Sequence, residues 1–257
     1  MVGTRGVLDE ETGRTKFRLR THAPSADLAP FVEYHWIVSW DLTEPFTQQV
    51  VPHPNVHLVF ADEGALVHGV MRGRFTRRLV GRGQVLGVRF HPGGFRPWLG
   101  GRVADITDRT LSVSDWWGDA GTEKPVVDAA DDAAMVAEAE SVLLPRLPEP
   151  DPVVERVREL VGLVLGDLAL TRVDQLAAVS GLSVRALQRL FNDYVGVGPK
   201  WVIRRHRMHE AAARADAGGP VDWAALATEL GYSDQAHFTR EFTAAIGMSP
   251  GRYRLRS

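Results

Sequence analysis

The sequence predicts a two-domain α+β protein, in which a mainly-β small barrel is followed by an all-α domain. Two observations support this prediction. The chain has 257 residues, more than the roughly 100 to 200 residues of a usual single domain. The apolar residues also change their spacing near residue 150, from short β-rich runs to helical periodicity. We therefore expect one domain over residues 1–150 and a second over residues 151–257.

Three short runs in the first domain have the composition of β-strands: residues 34–40, 56–60 and 85–90. Glycine and proline separate them at intervals typical of antiparallel meanders and small barrels, so we expect a cupin-like barrel. An alanine-rich stretch, residues 128–144, has near-helical spacing of apolar residues and should close this domain. Residues 145–152 contain four prolines, which exclude a helix interior or a central strand and mark the boundary.

The second domain contains one supersecondary unit twice. Residues 176–181 (LAAVSG) match residues 226–231 (LATELG), and residues 189–191 (RLF) match residues 240–242 (REF). Each unit consists of a short predicted helix, a turn at a glycine that can adopt positive φ, and a second helix. This order is typical of the helix-turn-helix motif, so we expect two such units, each with a recognition helix.

The second helix of the first unit has one apolar and one polar face. Ser183 is suited to cap its N-terminus. The residues expected to face inward are Leu187, Leu190, Phe191 and Tyr194. The residues expected to face outward, at the same helical spacing, are Arg185, Gln188, Arg189 and Asn192. Because these four side chains donate hydrogen bonds, the polar face suits the base edges and phosphates of DNA.

The second unit repeats this design. Ser233 or Asp234 is the expected N-cap. The inward residues are Phe238, Phe242 and Ile246, and the outward residues are Gln235, Thr239, Arg240 and Thr243. Pro199 begins a linker helix between the units, with the basic residues Lys200, Arg204, Arg205 and Arg207. We expect this helix to run toward Ala215. Its 17 or so residues would then be roughly 25 Å long and would hold the two recognition helices about one DNA turn apart.

Composition and charge narrow the function further. Residues 171–257 carry 12 Lys or Arg and 8 Asp or Glu, a net charge of +4, whereas residues 1–170 carry −6. This excess favours DNA contact, although ordinary surface variation would give the same difference. The chain has no cysteine, which excludes disulfides, thiolate metal sites and cysteine nucleophiles. No apolar run has the length of a signal peptide or membrane helix, so we expect a cytoplasmic protein without a membrane partner.

The segment from 170 to 254 resembles the DNA-binding domain of the AraC/XylS transcription regulators. The resemblance lies in GYSDQAHFTREFTAAIGMSPGRYR of the second unit and in SGLSVRALQRLF and GVGPKWVIRRHRMHEAA of the first. The β-rich segment resembles the N-terminal domain of one subgroup of this family, notably in VPHPNVHLVF and GVRFHPGGFRPWLG. DNA-repair proteins with this kind of module transfer an alkyl group onto cysteine, and the absence of cysteine excludes that activity here.

The resemblance implies a sequence-specific transcription regulator, an activator or a repressor, that reads two adjacent major grooves of double-stranded DNA. It implies DNA-facing positions for Arg185, Gln188, Arg189, Gln235, Ala236, Thr239 and Arg240. The set of expected DNA contacts also includes Ser183, Asn192, Lys200 and Arg204. In the family, the β-rich domain binds a small effector or mediates dimerisation. The further candidate partners are therefore a small-molecule effector, RNA polymerase and a second copy of the chain.

Aromatic and basic residues of the first domain form a candidate ligand pocket. They are Trp36, Trp40, His53, His57, Arg89, His91, Phe95 and Trp98. Arg89 is suited to pair with an anionic ligand, and the alternative is that the aromatic residues fill a barrel core. His53 and His57 would share one side of a strand, so a metal site with His91 is conceivable. The alternative function is then a metal-dependent cupin-like enzyme fused to a DNA-binding domain; the reading we prefer is a regulator without metal, cofactor or catalytic residues.

Overall fold

The protein is described by a computed structural model that covers residues 6, 8, 10–62, 64–118, 126–217 and 220–255. Its first half contains the strands β1 (Phe17–His22), β2 (Val32–Asp41), β3 (Phe46–Val50), β4 (His57–Ala61), β5 (Gly64–His68), β6 (Phe75–Leu79), β7 (Arg82–Phe90) and β8 (Thr110–Ser112). The helices of this half are α1 (Glu10–Lys16), α2 (Arg96–Leu99), α3 (Val113–Trp117) and α4 (Asp132–Leu143), with short 3₁₀ turns at Val103–Ile106 and Leu144–Arg146.

The strands form two antiparallel sheets. The larger sheet has six strands in the order β1-β2-β7-β4-β5-β8, whereas β3 and β6 pair with each other. The predicted runs 34–40 and 85–90 lie within the longer strands β2 and β7, and the run 56–60 is offset by one residue from β4. The prediction of a mainly-β first half is therefore confirmed.

The six-stranded sheet uses its two faces differently. Alternate residues such as Ile37, Leu58 and Leu86 are fully buried on one face, in the same hydrophobic core as Met135 and Leu143 of α4. The opposite face lines a cavity to which β3 and β6 also contribute side chains. Strand alternation thus separates a structural face from a face that can hold a ligand.

Polar contacts fix α4 against the sheet. The helix begins at Asp132, later than predicted, because the Asp131 side chain accepts a hydrogen bond from the backbone N of Ala134 and caps it. Glu140 Oε1 lies 2.9 Å from Nε2 of His35, whose ring is fully buried in the sheet. Since both partners lose water on burial, this pair determines where α4 lies on the sheet.

The second half is helical, as predicted. Its helices are α5 (Pro152–Gly166), α6 (Val173–Ser180), α7 (Val184–Tyr194), α8 (Pro199–Asp216), α9 (Trp223–Glu229), α10 (Gln235–Ile246) and α11 (Pro250–Arg254). Helices α6 and α7 form the first helix-turn-helix unit, and α9 and α10 form the second. Gly181 (φ +70°) and Gly231 (φ +73°) occupy the two turns, where positive φ favours glycine. The linker helix α8 joins the units.

The two units pack into different hydrophobic cores. Leu187 and Phe191 of the first unit belong to the same core as Phe90 of the sheet. Phe238 and Phe242 of the second unit lie in a separate core. The first core extends across the predicted boundary, so the division at residues 150 and 151 stays a prediction.

Candidate nucleic-acid interface

Helix α7 presents a row of polar side chains to solvent. Leu187 and Phe191 are fully buried beneath it. The exposed residues are Arg185, Gln188, Arg189 and Asn192. Ser183 Oγ accepts a hydrogen bond from the backbone N of Ala186 at 3.2 Å and caps the helix, as predicted. The predicted outward row is therefore accessible to a partner.

Helix α10 has the same arrangement. Its buried residues are Phe238, Phe242 and Ile246, and its exposed residues are Gln235, Ala236, Arg240 and Thr243. Thr239, expected in the outward row, is half-buried. Of the two expected caps, Asp234 is the one used: its Oδ1 accepts a hydrogen bond from the backbone N of His237 at 2.7 Å.

The linker helix α8 exposes only part of its predicted basic set. Its 18 residues span about 27 Å at 1.5 Å per residue. Lys200 and Arg204 are exposed, whereas Arg205 and Arg207 are buried. The Arg205 guanidinium lies over the ring of Trp201, and burial lowers the pKa of Arg205 to about 10. Periodicity alone did not separate these pairs, because the cover comes from distant parts of the chain: Arg205 Nη2 donates to the carbonyl oxygen of Arg72, and the Arg207 guanidinium lies over the Tyr232 ring.

Glu241 connects α8 to the second recognition helix. Arg204 Nε donates a hydrogen bond to Glu241 Oε2 over 3.1 Å, and the hydroxyl of Tyr232 donates to the same oxygen over 2.8 Å. The Arg207 guanidinium lies 3.8 Å from the centroid of the Tyr232 ring. Sequence reasoning missed Glu241, whose only signal is its place between the apolar and polar faces of α10. This network fixes the direction of α10 relative to α8.

The first unit contacts the N-terminal half along the segment that follows β7. Thr107 Oγ1 donates a hydrogen bond to the carbonyl oxygen of Gly196 over 2.7 Å. Arg96 Nε donates to Asp193 Oδ1 over 3.3 Å, and its guanidinium lies 5.5 Å from the Tyr194 ring centroid. These hydrogen bonds join the first unit to the N-terminal half, in addition to the hydrophobic core that the two share.

The second unit contacts the N-terminal half through α8 and through the end of α10. The ring of His209 stacks on the ring of His53, with centroids 3.9 Å apart and planes 2° apart. Arg74 Nη1 donates a hydrogen bond to the carbonyl oxygen of Ile246 over 3.4 Å. Burial, followed by the nearby His53 and Arg205, holds the pKa of His209 well below its usual value of 6.5. The His209 ring is therefore neutral at pH 7 when it stacks on His53.

A cavity of about 240 Å³ lies on the face of the large sheet that is turned toward β3 and β6. Its lining is mainly apolar and aromatic. Five of the predicted pocket residues line it: Trp36, Trp40, His53, His57 and Arg89. Residues that the sequence reasoning missed include Tyr34, His68, Met71, Phe75 and Arg77. Tyr34 follows from strand alternation, two residues before Trp36, whereas the β6 residues gave no sequence signal.

The structure places the other three pocket candidates away from this cavity. Phe95 and Trp98 are buried on the opposite face of the sheet, where each packs against the ring of Phe90. His91 continues the chain on that side, and its backbone N donates to the carbonyl oxygen of Phe31. The reason is alternation: Arg89 faces the cavity, so Phe90 and the turn after it belong to the structural face.

Several polar groups of the cavity already form hydrogen bonds with one another or with Glu33 beside the cavity. Arg89 Nε donates to Glu33 Oε2 over 2.8 Å, and Arg89 Nη1 donates to the Tyr34 hydroxyl over 3.1 Å. Trp36 Nε1 donates to Nδ1 of His57 over 3.1 Å. Burial, with a smaller effect of Arg89, holds the pKa of His57 well below 6.5. Arg89 therefore does not present an uncompensated charge to an anion.

His53, His57 and His91 do not come together. Within the described residues, no three His, Asp or Glu side chains are arranged to hold a metal ion. Likewise, none of the described helices is both long and apolar enough to cross a membrane.

Comparison with known proteins identifies families that match the two halves of the chain. Residues 176–256 match a family described as a helix-turn-helix domain, and residues 20–112 match a domain of unknown function (DUF6597). The chain is 26% identical over 147 residues to the RCS-specific HTH-type transcriptional activator RclR of Escherichia coli K12, covering 57% of this chain and 44% of that protein. The chain thus spans less than half the length of that relative.

Two further relatives are similar to the helical half. One is the probable transcription factor PqrA of Proteus vulgaris, 32% identical over 83 residues, covering 32% of this chain and 67% of that protein. Another, from Streptomyces antibioticus, is described as an AraC-like transcription regulator and is 34% identical over 82 residues, covering 32% of this chain and 27% of that protein. The exposed recognition helices and these matches agree, and the chain belongs to the AraC/XylS family of helix-turn-helix DNA-binding transcription regulators, not to a family of enzymes.

Proposed function

We propose that this regulator reads two adjacent major grooves of double-stranded DNA, one with α7 and one with α10. The observation that carries the proposal is the pair of exposed polar rows on helices whose opposite faces are fully buried. Helix α8, which joins the two units, is about 27 Å long, a length of the same order as the roughly 34 Å of one DNA turn.

The residues divide by the kind of contact they suit. Arginine and glutamine side chains pair with base edges, so Arg185, Gln188, Arg189, Gln235 and Arg240 are proposed to read bases. Phosphate or backbone contacts are assigned to Ser183, Asn192, Lys200, Arg204, Ala236 and Thr239. Arg204 is already paired with Glu241, so its contribution to affinity should be smaller than that of Lys200.

Selection of randomised duplex DNA with the full-length protein tests this proposal, at one stated salt concentration because phosphate contacts make affinity salt-dependent. We expect two short conserved elements about one helical turn apart. The variant Arg189→Ala should lose information in one element and Arg240→Ala in the other. Recovery of a single element, unaffected by Arg240→Ala, would refute reading by both helices.

We further propose that the N-terminal half controls α8 through the cavity. Pro52 and His53 line the cavity, and both contact His209 of α8, His53 through its ring and Pro52 through its carbonyl oxygen at 3.4 Å. A molecule that displaces His53 would therefore change the contact that holds α8. The arrangement of the two sheets around this cavity is consistent with a half-open, cupin-like barrel, the finer architecture that we propose for residues 1–150.

The remaining assignments complete the proposal. The protein acts in the cytoplasm, where its operator DNA lies, as an activator or a repressor. Its partners are double-stranded DNA, a small-molecule effector, RNA polymerase and a second copy of the chain. Sedimentation of the protein with and without operator DNA tests the second copy. A complex of one protein chain per DNA at saturation would exclude it.

A further inference from the structure

We propose that the cavity binds an uncharged, flat and mainly apolar molecule with a hydrogen-bond acceptor, such as a carbonyl group, at one end. This inference rests on the effector-controlled function proposed above and names the ligand class of that site. Four observations support it: the position of the polar groups, their charge, the hydrogen-bond donors that they offer and the shape of the apolar wall.

Four polar groups of the cavity form one row across four strands, and Gln48, His53, Asn55 and Arg77 line the cavity outside this row. The strand register places Tyr34 of β2 opposite Arg89 of β7, Arg89 opposite His57 of β4, and His57 opposite His68 of β5. All four side chains line the cavity. The neighbouring positions along β2 on the same face are Trp36, Val38 and Trp40. The row therefore offers polar groups to one end of a ligand, and the apolar side chains of β2 lie along its body.

The row offers little net charge to a ligand. Arg89 is paired with Glu33 over 2.8 Å, so an anion would have to compete with a carboxylate already in place. Burial lowers the pKa of both His57 and His68, and both rings are neutral at pH 7. Arg77 of β6 also lines the cavity. A comparison of anionic and neutral probes measures how much its positive charge contributes to ligand affinity.

The row does offer hydrogen-bond donors. The indole nitrogen of Trp36 can only donate, so Nδ1 of His57 must accept, and the proton of the neutral ring lies on Nε2. Among the described residues no partner accepts that proton. The Tyr34 hydroxyl accepts from Arg89, and burial raises the pKa of Tyr34, so the hydroxyl keeps its own hydrogen. Neither of these two neutral donors has an acceptor in the part of the chain that the structure describes, which favours a ligand that brings one.

The apolar wall is broad and flat. An added Cβ on Gly87 would lie 2.0 Å from the Trp36 ring, and one on Gly83 would lie 2.6 Å from the Trp40 ring, so each indole lies across a glycine of β7. The cavity of about 240 Å³ is larger than the roughly 150 Å³ that holds benzene in an apolar protein interior. A two-ring molecule matches both its size and its wall.

Fluorescence titration of the full-length protein with three two-ring probes tests the proposal. They are 6-propionyl-2-(dimethylamino)naphthalene, which is neutral and has a ketone; 2-(dimethylamino)naphthalene, which lacks the ketone; and the anion 1-anilinonaphthalene-8-sulfonate. We expect the ketone to bind at least about tenfold more tightly than either other probe. Tyr34→Phe should weaken ketone binding about fivefold, the usual effect of one lost hydrogen bond, and leave the ketone-free probe unchanged.

His57→Phe provides a second variant and should act in the same direction. Tyr194→Phe makes the same substitution outside the cavity, at a hydroxyl bonded to Asp151, and should change no titration. Equal or tighter binding of the sulfonate, no preference for the ketone, or no binding of any probe would each overturn the proposal. Affinity for the selected DNA duplex, measured in the same samples, separates the proposed ligand class from the proposed control of DNA binding. If the ketone binds without any change in DNA affinity, the ligand class is retained and effector control is rejected.

Discussion

The two helix-turn-helix units have similar sequences but are attached to the N-terminal half in different ways. The first shares a continuous hydrophobic core with the sheet and adds the hydrogen bond from Thr107 to Gly196. The core of the second unit receives only Leu8 and Val51 from the N-terminal half, in the part of the chain that the structure describes. Its other contacts are polar or aromatic, such as the stack of His209 on His53.

This difference indicates which unit can respond to a signal. Apolar burial stabilises the first unit in place, since each fully buried large side chain contributes about 1.5 to 3 kcal/mol. The second unit is held in part through the linker helix α8, where the buried Arg205 guanidinium has no carboxylate partner among the described residues and donates from Nη2 to the carbonyl oxygen of Arg72. Burying a charge in this way costs free energy. A change at the cavity should therefore move the second unit relative to the first.

The largest expected effect comes from truncating one core residue in each unit. Phe191→Ala and Phe242→Ala each remove a fully buried ring and should cost about 3–5 kcal/mol. Phe191→Ala should raise hydrogen exchange in the sheet as well as in α7, because they share a core. Phe242→Ala should raise exchange in α8 to α11 alone. Leu255→Ala, at an exposed side chain, is the control. If both substitutions raised hydrogen exchange in the same helices and strands, the two units would not have separate cores.

The next effect concerns DNA recognition. Arg189→Ala and Arg240→Ala should each weaken binding to the selected operator by about 1–3 kcal/mol and relax one base position. Because the first unit is the more rigidly placed, loss of Arg189 should have the same effect with and without ligand in the cavity. Loss of Arg240 should depend on ligand. Fluorescence anisotropy on labelled operator duplexes measures both, and a ligand dependence confined to Arg189→Ala would reverse the assignment.

Two glycines at equivalent positions provide a matched test of how tightly each unit is docked. Gly196 (φ +90°) and Gly247 (φ +91°) both adopt positive φ, so alanine costs about 1–2 kcal/mol of backbone strain at either. A Cβ on Gly196 would also meet Val103 and Thr107 at 2.9 Å, whereas one on Gly247 would meet the flexible end of Arg74. Gly196→Ala should therefore be the more destabilising in urea denaturation, by about 1 kcal/mol. The reverse order would mean that the second unit is the more tightly docked.

The smallest effect is a pH dependence. His209 has a pKa well below 6.5 when docked, chiefly because it is buried. As pH falls below 6.5, the unfolded chain binds a proton that the docked histidine does not, so stability decreases on acidification and is unaffected above 6.5. The urea midpoint of the protein should therefore fall more between pH 7.5 and pH 5.5 than that of His209→Phe. The other buried histidines titrate in both proteins, so identical shifts would contradict the prediction.

Much of the helical half followed from the sequence. The duplicated segments, the cap at Ser183 and the turn glycines depend on residues within about ten positions of one another, and the structure has these features where they were predicted. The cavity was predicted less well. Trp36, Trp40 and Arg89 were predicted from their residue type in the β-rich runs, whereas Phe75 of β6 comes from a sheet whose placement depends on distant contacts.

The recognition helices could be predicted without a structure, because capping, periodicity and turn chemistry act along the chain. Which basic residues of α8 are exposed depends on tertiary packing: Lys200 and Arg204 are exposed, whereas Arg205 and Arg207 are buried. The contact of His53 with His209, 156 positions farther along the chain, depends on it as well. The physical reason is that burial and stacking are set by surfaces that meet after folding, and helical periodicity does not specify which partner covers a face.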